Sequence, residues 1–394
     1  MADYLPLEMV QQVLLRLPIK PLLRCSTVCK AWYNMITSPQ FIYAHLTLFK
    51  SLHDSTCLLI EYGYIKKKYV LYSDDKAGTF EELDRFEFPI EKSTSLLHVV
   101  GCCNGLICFS NVCSLNCISD GDTEQEVMLW NPIIRKSLHL PISKMQLRFD
   151  EAMDSNLRIS PGAFGFVFDH IRNDYKVLRV YNWGEVPSMV EIFRLSTGLW
   201  EDISHKAPFN SISGRSLQVD LKGISHWIGK DYNGKLKIIS FDVYEEVLGS
   251  IELPANVVND DEIYEQDYEK YLFGFEESLF LIRRVNTGEV SDEDDDYNNR
   301  SFERKFDIWK MEEYNVVESW NQVETCVVDA SVQPLAFLKN GEILWTVRGG
   351  GLISTSLHDA SVHYLGRCHN DHPISCSYYV ESLLLLDKTV PHWN

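Results

Sequence analysis

The sequence predicts a small all-α module over residues 1–50 followed by a large all-β domain over residues 56–390, expected to be a β-propeller of six to eight blades. Three observations predict it. Apolar residues recur with a helical period at the start of the chain, and the period falls to two from about residue 56. The β region then repeats one weak grammar in units of about 40 to 50 residues. A chain of 394 residues has room for both units and for a sizeable core.

In the run LPLEMVQQVLLRLP, Leu7, Val10, Val13, Leu14 and Leu17 fall at the i, i+3, i+4, i+7 spacing of one helix face. Pro6 can open that helix and Pro18 can close it. From Pro21 the pattern resumes through Leu22, Cys25, Val28, Cys29, Trp32 and Ile36. Ser38-Pro39 interrupts it, and Phe41, His45 and Leu46 suggest one more helical turn or two. A bundle this small cannot bury a stripe on every helix. Some apolar positions must therefore face a partner or pack against the larger domain.

The β region shows alternating runs such as CLLIEY, KYVLYS, NGLICFS, VMLWNP, FGFVFD, LKIISFDV, SLFLIRRV, EILWTV and YYVESLLLL, punctuated by turn residues. Several segments share a scheme: a strand, a turn, then a short strand that carries a tryptophan or ends in Leu-Pro. VEIFRLSTGLWEDI turns at Ser196-Thr197-Gly198 and then reaches Trp200. Related schemes surround Trp130, Leu253-Pro254 and Trp320. Strands come too often, and helices too rarely, for an α/β sheet, whereas radial repetition fits a propeller.

Composition narrows the function classes. The net charge is -19; residues 1–50 carry +3, leaving -22 on the remainder. Such a body repels phosphate backbones, which argues against nucleic acid, and it steers basic proteins toward itself at low ionic strength. The stretch SDEDDDYNNR contains Asp292, Glu293, Asp294, Asp295 and Asp296, and Asp260, Asp261 and Glu262 lie upstream. Five consecutive carboxylates cannot pack in a core, so they form either a solvated insertion or a landing patch for a basic substrate. No apolar run approaches the roughly 20 residues of a membrane span, and no signal peptide opens the chain, so it is expected in the cytoplasm, with the nucleus also open.

No catalytic constellation is legible. Cys102, Cys103, Cys108, Cys113 and Cys117 lack paired C-x-x-C knuckles, and buried free thiols are the expectation. His205, His226, His358, His363, His369 and His372 are scattered without a metal-binding or nucleophile context. No glycine-rich phosphate loop appears. No cofactor, metal or catalytic residue is therefore expected, and the rival reading of an enzyme built on the propeller has no cluster to rest on.

The string LPLEMVQQVLLRLPIKPLLRCSTVCKAWYNMITSPQFIYAHL, residues 5–46, resembles the F-box. The LP-x-E opening, the apolar helix ending in LP, the K-x-LL step, the V-C-K-x-W block and the P-x-F-x-x-x-H-L tail are all present in order, with Pro21 where the family usually has serine. The resemblance implies docking onto a Skp-type adaptor and, through it, onto a cullin and a RING subunit. The adaptor-facing positions it implies are Leu5, Pro6, Val13, Leu14, Leu17, Pro18, Leu22, Leu23, Val28, Cys29 and Trp32. Leu5, Pro6 and Trp32 are the expected anchors, because a rigid proline and a large aromatic lose little entropy on docking.

GCCNGLICFS, LWNPIIRKSLHLP, AFGFVFDHIRNDYKVLRV, VEIFRLSTGLWEDI, IISFDVYEEVLGSIELP and FDIWKMEEYNVVESW resemble, in family order, blocks of the F-box associated domain of the large plant F-box family, often called kelch-like. The double glycines of true kelch repeats are nearly missing; Gly349-Gly350-Gly351 is the one run. Within that family the strings are similar to the S-locus F-box proteins of pollen and their relatives outside the locus. This similarity implies a ligase receptor that does no chemistry itself, with basic style ribonucleases as targets in self-incompatibility. A general receptor in plant protein turnover and a non-ligase scaffold partnering the adaptor stand as the alternatives.

Overall fold

Why the first fifty residues fold as four helices is local chemistry. In the computed structural model, which describes residues 6–52, 57–63, 67–87, 98–110, 127–147, 160–183, 186–213, 217–258, 270–285, 303–329, 332–347, 349–359, 361–367 and 373–385, α1 is Leu7–Leu14, α2 Ile19–Cys25, α3 Lys30–Ile36 and α4 Pro39–Leu52. Pro6 and Pro18 stand at the N-caps of α1 and α2, where a proline costs no helical hydrogen bond. The second helix thus begins at Ile19, before Pro21. The last helix is longer than the sequence suggests: Ser38 accepts from the Phe41 N–H at 3.3 Å, and Pro39 occupies the first helical position, so the pair read as an interruption is a start signal for fourteen residues.

The remainder forms six antiparallel sheets arranged as blades, the low end of the expected range. The first contains β1 (Cys57–Tyr62), β2 (Lys68–Tyr72) and β3 (Glu82–Glu87). The second contains β4 (His98–Cys103), β5 (Leu106–Ser110), β6 (Val127–Asn131) and β7 (Lys136–His139). The third contains β8 (Ser160–Asp169), β9 (Asp174–Trp183), β10 (Val186–Arg194) and β11 (Leu199–Asp202). The fourth contains β12 (Ser211–Ile212), β13 (Val219–Leu221), β14 (Ile224–Lys230), β15 (Leu236–Asp242) and β16 (Val247–Glu252). The fifth contains β17 (Lys270–Phe275), β18 (Ser278–Val285), β19 (Glu303–Met311) and β20 (Trp320–Asp329). The sixth contains β21 (Gln333–Phe337), β22 (Ile343–Val347), β23 (Gly351–Thr355) and β24 (Val362–Arg367).

The ring closes through the other end of the chain. β25 (Pro373–Tyr379) pairs antiparallel with β1, Leu59 opposite Ser377, and so supplies the inner strand of the first blade. YYVESLLLL is therefore not one strand: the sheet takes Tyr378 and Tyr379, and residues 380–385 leave it.

Each blade buries both faces, and the buried side chains sort into six cores, one between each pair of neighbours. Tryptophans fasten several of these joints. The indole N–H of Trp200 donates to Pro141 O at 2.7 Å, that of Trp227 to Phe164 O at 3.1 Å, and that of Trp320 to Glu252 O at 3.3 Å. In each pair the acceptor precedes the donor's own blade, so each of these three tryptophans buries a large surface and satisfies its polar end on the preceding neighbour.

Buried charge is paired. Arg179 donates to Glu191 at 2.6 Å, Gln146 at 2.9 Å and Ser143 at 3.0 Å, beneath the face of Trp200. Lys176 bonds Asp169 at 2.6 Å and Glu246 at 2.9 Å, which joins the third blade to the fourth. His226 is buried between Val219 O and the Tyr314 hydroxyl, and burial lowers its imidazole to about 4. The Cys102, Cys103 and Cys108 thiols are pushed up by burial, Cys103 to about 12, as expected of packed thiols; Cys113 and Cys117 lie outside the described residues.

Candidate functional site

The helical module has two sides. Inward, Leu14, Leu22, Ile36, Phe41, Ile42 and Leu46 merge with the core between the second and third blades, beside Leu106, Leu129, Phe166 and Tyr175. The module is thus an extension of one propeller joint. α4 ties it together internally: His45 is buried, stacked with Phe41 and Phe49, and its Nε2–H donates to Leu17 O at 2.8 Å just past α1. Burial holds this imidazole below its ordinary value, so it donates in the neutral form.

Outward, Leu7, Met9 and Val13 on α1, Val28 before α3 and Tyr33 on α3 are exposed, Val13 at 59% and Val28 at 65%. Met9 and Val13 are four residues apart and form a stripe beside the buried one. Full burial of such a side chain from full exposure is worth roughly 1.5–3 kcal/mol, so covering these half-exposed ones gains about half of that each. Pro6, Pro18 and Cys29 are exposed at the three helix starts between them, and the exposed charges Glu8, Arg16, Arg24 and Lys30 lie among them.

This divides the positions that the sequence assigns to the adaptor. Pro6, Val13, Pro18, Val28 and Cys29 are on the surface; Leu17, Leu23 and Trp32 are half-buried against the joint core; Leu5 lies outside the described residues. Leu14 and Leu22 are a correction: at 2% and 0% exposure they belong to the core, and they support the surface from behind. Leu7, Met9 and Tyr33 join the exposed set although the motif does not select them. The i, i+4 spacing of Met9 and Val13 was the available signal, hidden because the apolar stripe of α1 is wider than the core can cover.

The acidic residues Asp260, Asp261, Glu262 and Asp292, Glu293, Asp294, Asp295, Asp296 lie outside the described residues. The strand ends that flank 286–302, Val285 and Glu303, stand at the end of the fifth blade opposite its β17–β18 turn. The module packs at the other end of the ring, by the equivalent turns β4–β5 and β8–β9: Lys50 donates to Asn104, and the Asn104 amide donates to the Tyr175 hydroxyl at 3.0 Å. The strand ends beside the acidic stretches also carry Lys270, Arg283, Arg284, Arg304 and Lys305.

The profile of the F-box associated beta propeller domain matches residues 55–349, and that of the F-box domain matches residues 3–43. The chain belongs to the F-box associated β-propeller family. Among its relatives in Arabidopsis thaliana, F-box protein CPR1 is 24% identical over 85% of this chain and 76% of its own length. F-box/kelch-repeat protein At3g23880 is 26% identical over 64% of this chain and 66% of its own, and F-box protein At3g07870 is 23% identical over 81% and 72%. F-box proteins are typically adaptor subunits of Skp–cullin–F-box ligases, and the F-box domain implies binding to the Skp-type adaptor.

Proposed function

We propose that this F-box protein is the substrate-recognition subunit of a Skp–cullin–F-box ubiquitin ligase, with the helical module holding the adaptor and the propeller holding the target. The observation that carries the reading is the exposed apolar set Leu7, Met9, Val13, Val28 and Tyr33 on a module whose other side is fused to the propeller. The contribution to ubiquitin transfer is positional: target lysines are kept at high effective concentration near the charged conjugating enzyme. No acid, base or nucleophile of its own is assigned to the protein.

The target is proposed to engage the propeller, with Asp260–Glu262 and Asp292–Asp296 offering a landing patch for a basic protein. A style ribonuclease is one target of that charge, supported by the acidity of the chain alone; a basic protein of general turnover meets the same condition. Co-purification with the Skp-type adaptor and cullin tests the reading. The natural chain is expected to carry both, and recovery of neither would sink it.

A further inference from the structure

Beyond β25 the chain does not end at the propeller. Residues 380–385 cross to the helical module and are buried there: Val380, Leu383, Leu384 and Leu385 share one core with Leu14 and Leu22 of the module and with Leu106 and Tyr175 of the blades. Asn131, wholly buried at the end of β6, donates its amide to Ser382 O and to Leu384 O, each at 2.9 Å. Under the tail sits Gly105, with φ +83; a Cβ there would come within 2.5 Å of both Val380 O and Ser382 Oγ. Backbone cannot retreat from such a contact as a flexible side chain can, so the seat requires glycine. Leu385 itself holds φ 71, a left-handed conformation that a leucine keeps only when its surroundings impose it. Burial pushes the Glu381 carboxyl up, within the field of Lys20 of α2 and Asp84 of β3, which pair with each other at 3.1 Å.

Beside the direct helix–blade contacts, which include Lys20–Asp84 and Lys50–Asn104, the packing leaves a gap. A pocket of about 250 Å³ is lined by Pro39, Ile42 and Tyr43 of α4 and by Tyr175, Leu195 and Ser196 of the third blade, and Leu384 and Leu385 form part of its wall. The segment 380–385 thus adds a second connection where α4 leaves room. It also lies past residue 349, where the match to the propeller family stops.

We propose that residues 380–385 are a strap that fixes the angle between the helical module and the propeller, with Asn131 and Gly105 as its positioning residues. One strand and its tail thereby close the ring and orient the ligase arm, so the distance from adaptor to target is set by the end of the chain. The functional consequence rests on the receptor reading; the strap itself does not.

The test uses the full chain with paired spin labels, introduced as non-natural residues, replacing Gln12 on α1 and Val247 on the fourth blade. The unmodified strap is expected to give one narrow distance peak, and Asn131→Asp, which replaces the donor amide by a group repelled by both carbonyls, is expected to lose it in favour of a broad distribution. Leu383→Ala with Leu384→Ala provides the same test from the tail should Asn131→Asp fail to fold. Adaptor affinity, measured on the same samples, is expected to stay unchanged. An unchanged peak in the folded variants overturns the proposal, as does loss of adaptor binding with no broadening, which would make the tail a support for the helices only. If the unlabelled natural chain binds no adaptor, the receptor reading fails while the distance measurement still decides the strap.

Discussion

The propeller and the helical module treat their apolar side chains differently. In the propeller, each blade is covered on both faces by its neighbours, and even Arg179 and Lys176 are enclosed with partners. In the module, one side is covered and the other leaves Val13 and Val28 in water. The propeller exposes single apolar side chains too, Ile171, Leu199 and Tyr364 among them, but they are spread along the chain, whereas Leu7, Met9, Val13, Val28 and Tyr33 crowd into one short module. That concentration, more than any single contact, is what marks the module as a docking element.

Two substitutions in buried positions probe the covered side. Arg179→Met leaves Glu191 buried without its cation and is expected to cost about 3–5 kcal/mol in denaturant unfolding. Leu22→Ala opens a cavity in the joint core and is expected to cost about 2–5 kcal/mol. The contrast is Val13→Asp. It touches no core, so unfolding should move by no more than about 0.5 kcal/mol, while adaptor binding should weaken by about 2 kcal/mol, roughly 30-fold. Equal losses of stability for Leu22→Ala and Val13→Asp would erase the distinction between the two sides.

The two regions were also legible to different degrees. The module could be read residue by residue, because an interface this short must place particular side chains in order. What periodicity could not tell was which side of α1 faces inward: Leu14 and Val13 are adjacent in the chain, and only the blades decide that Leu14 is covered. The propeller could be read as rhythm, since Trp200 and Trp320 recur for a physical reason, yet its blade number could not. Inner and edge strands escaped: HVVGCC of β4 is interrupted by glycine, and ELDRFE of β3 is charged because its outer edge meets water. The misread tail is the most instructive case. The segment 380–385 after Tyr379 has the composition of a buried strand, but it is buried between helices and blades outside any sheet, and composition reports burial without naming what covers it.

Acid should weaken both units. Burial lowers the imidazoles of His45, His98 and His226 below their ordinary 6.5, His226 to about 4. The unfolded chain therefore takes up these protons first as pH falls. The neutral histidines contribute their stability above about pH 6.5, and it is lost progressively down to about pH 4. Melting temperatures across that window should fall with acid, and His226→Asn should flatten the lower part of the slope. The smallest effect is expected for the acidic stretch 292–296. Reversing Asp294, Asp295 and Asp296 to lysine should weaken capture of a basic target at low ionic strength and leave it nearly unchanged at physiological salt, where screening acts within about 8 Å.

The most direct measurement is affinity for the Skp-type adaptor, taken on the natural chain and on Val13→Asp with Val28→Asp, alongside the melting curve of each. An adaptor held by the natural chain and lost by the double variant, with the two melting together, is the expected result. A double variant that binds as tightly as the natural chain would contradict the claim that the uncovered side of the helices is the docking surface.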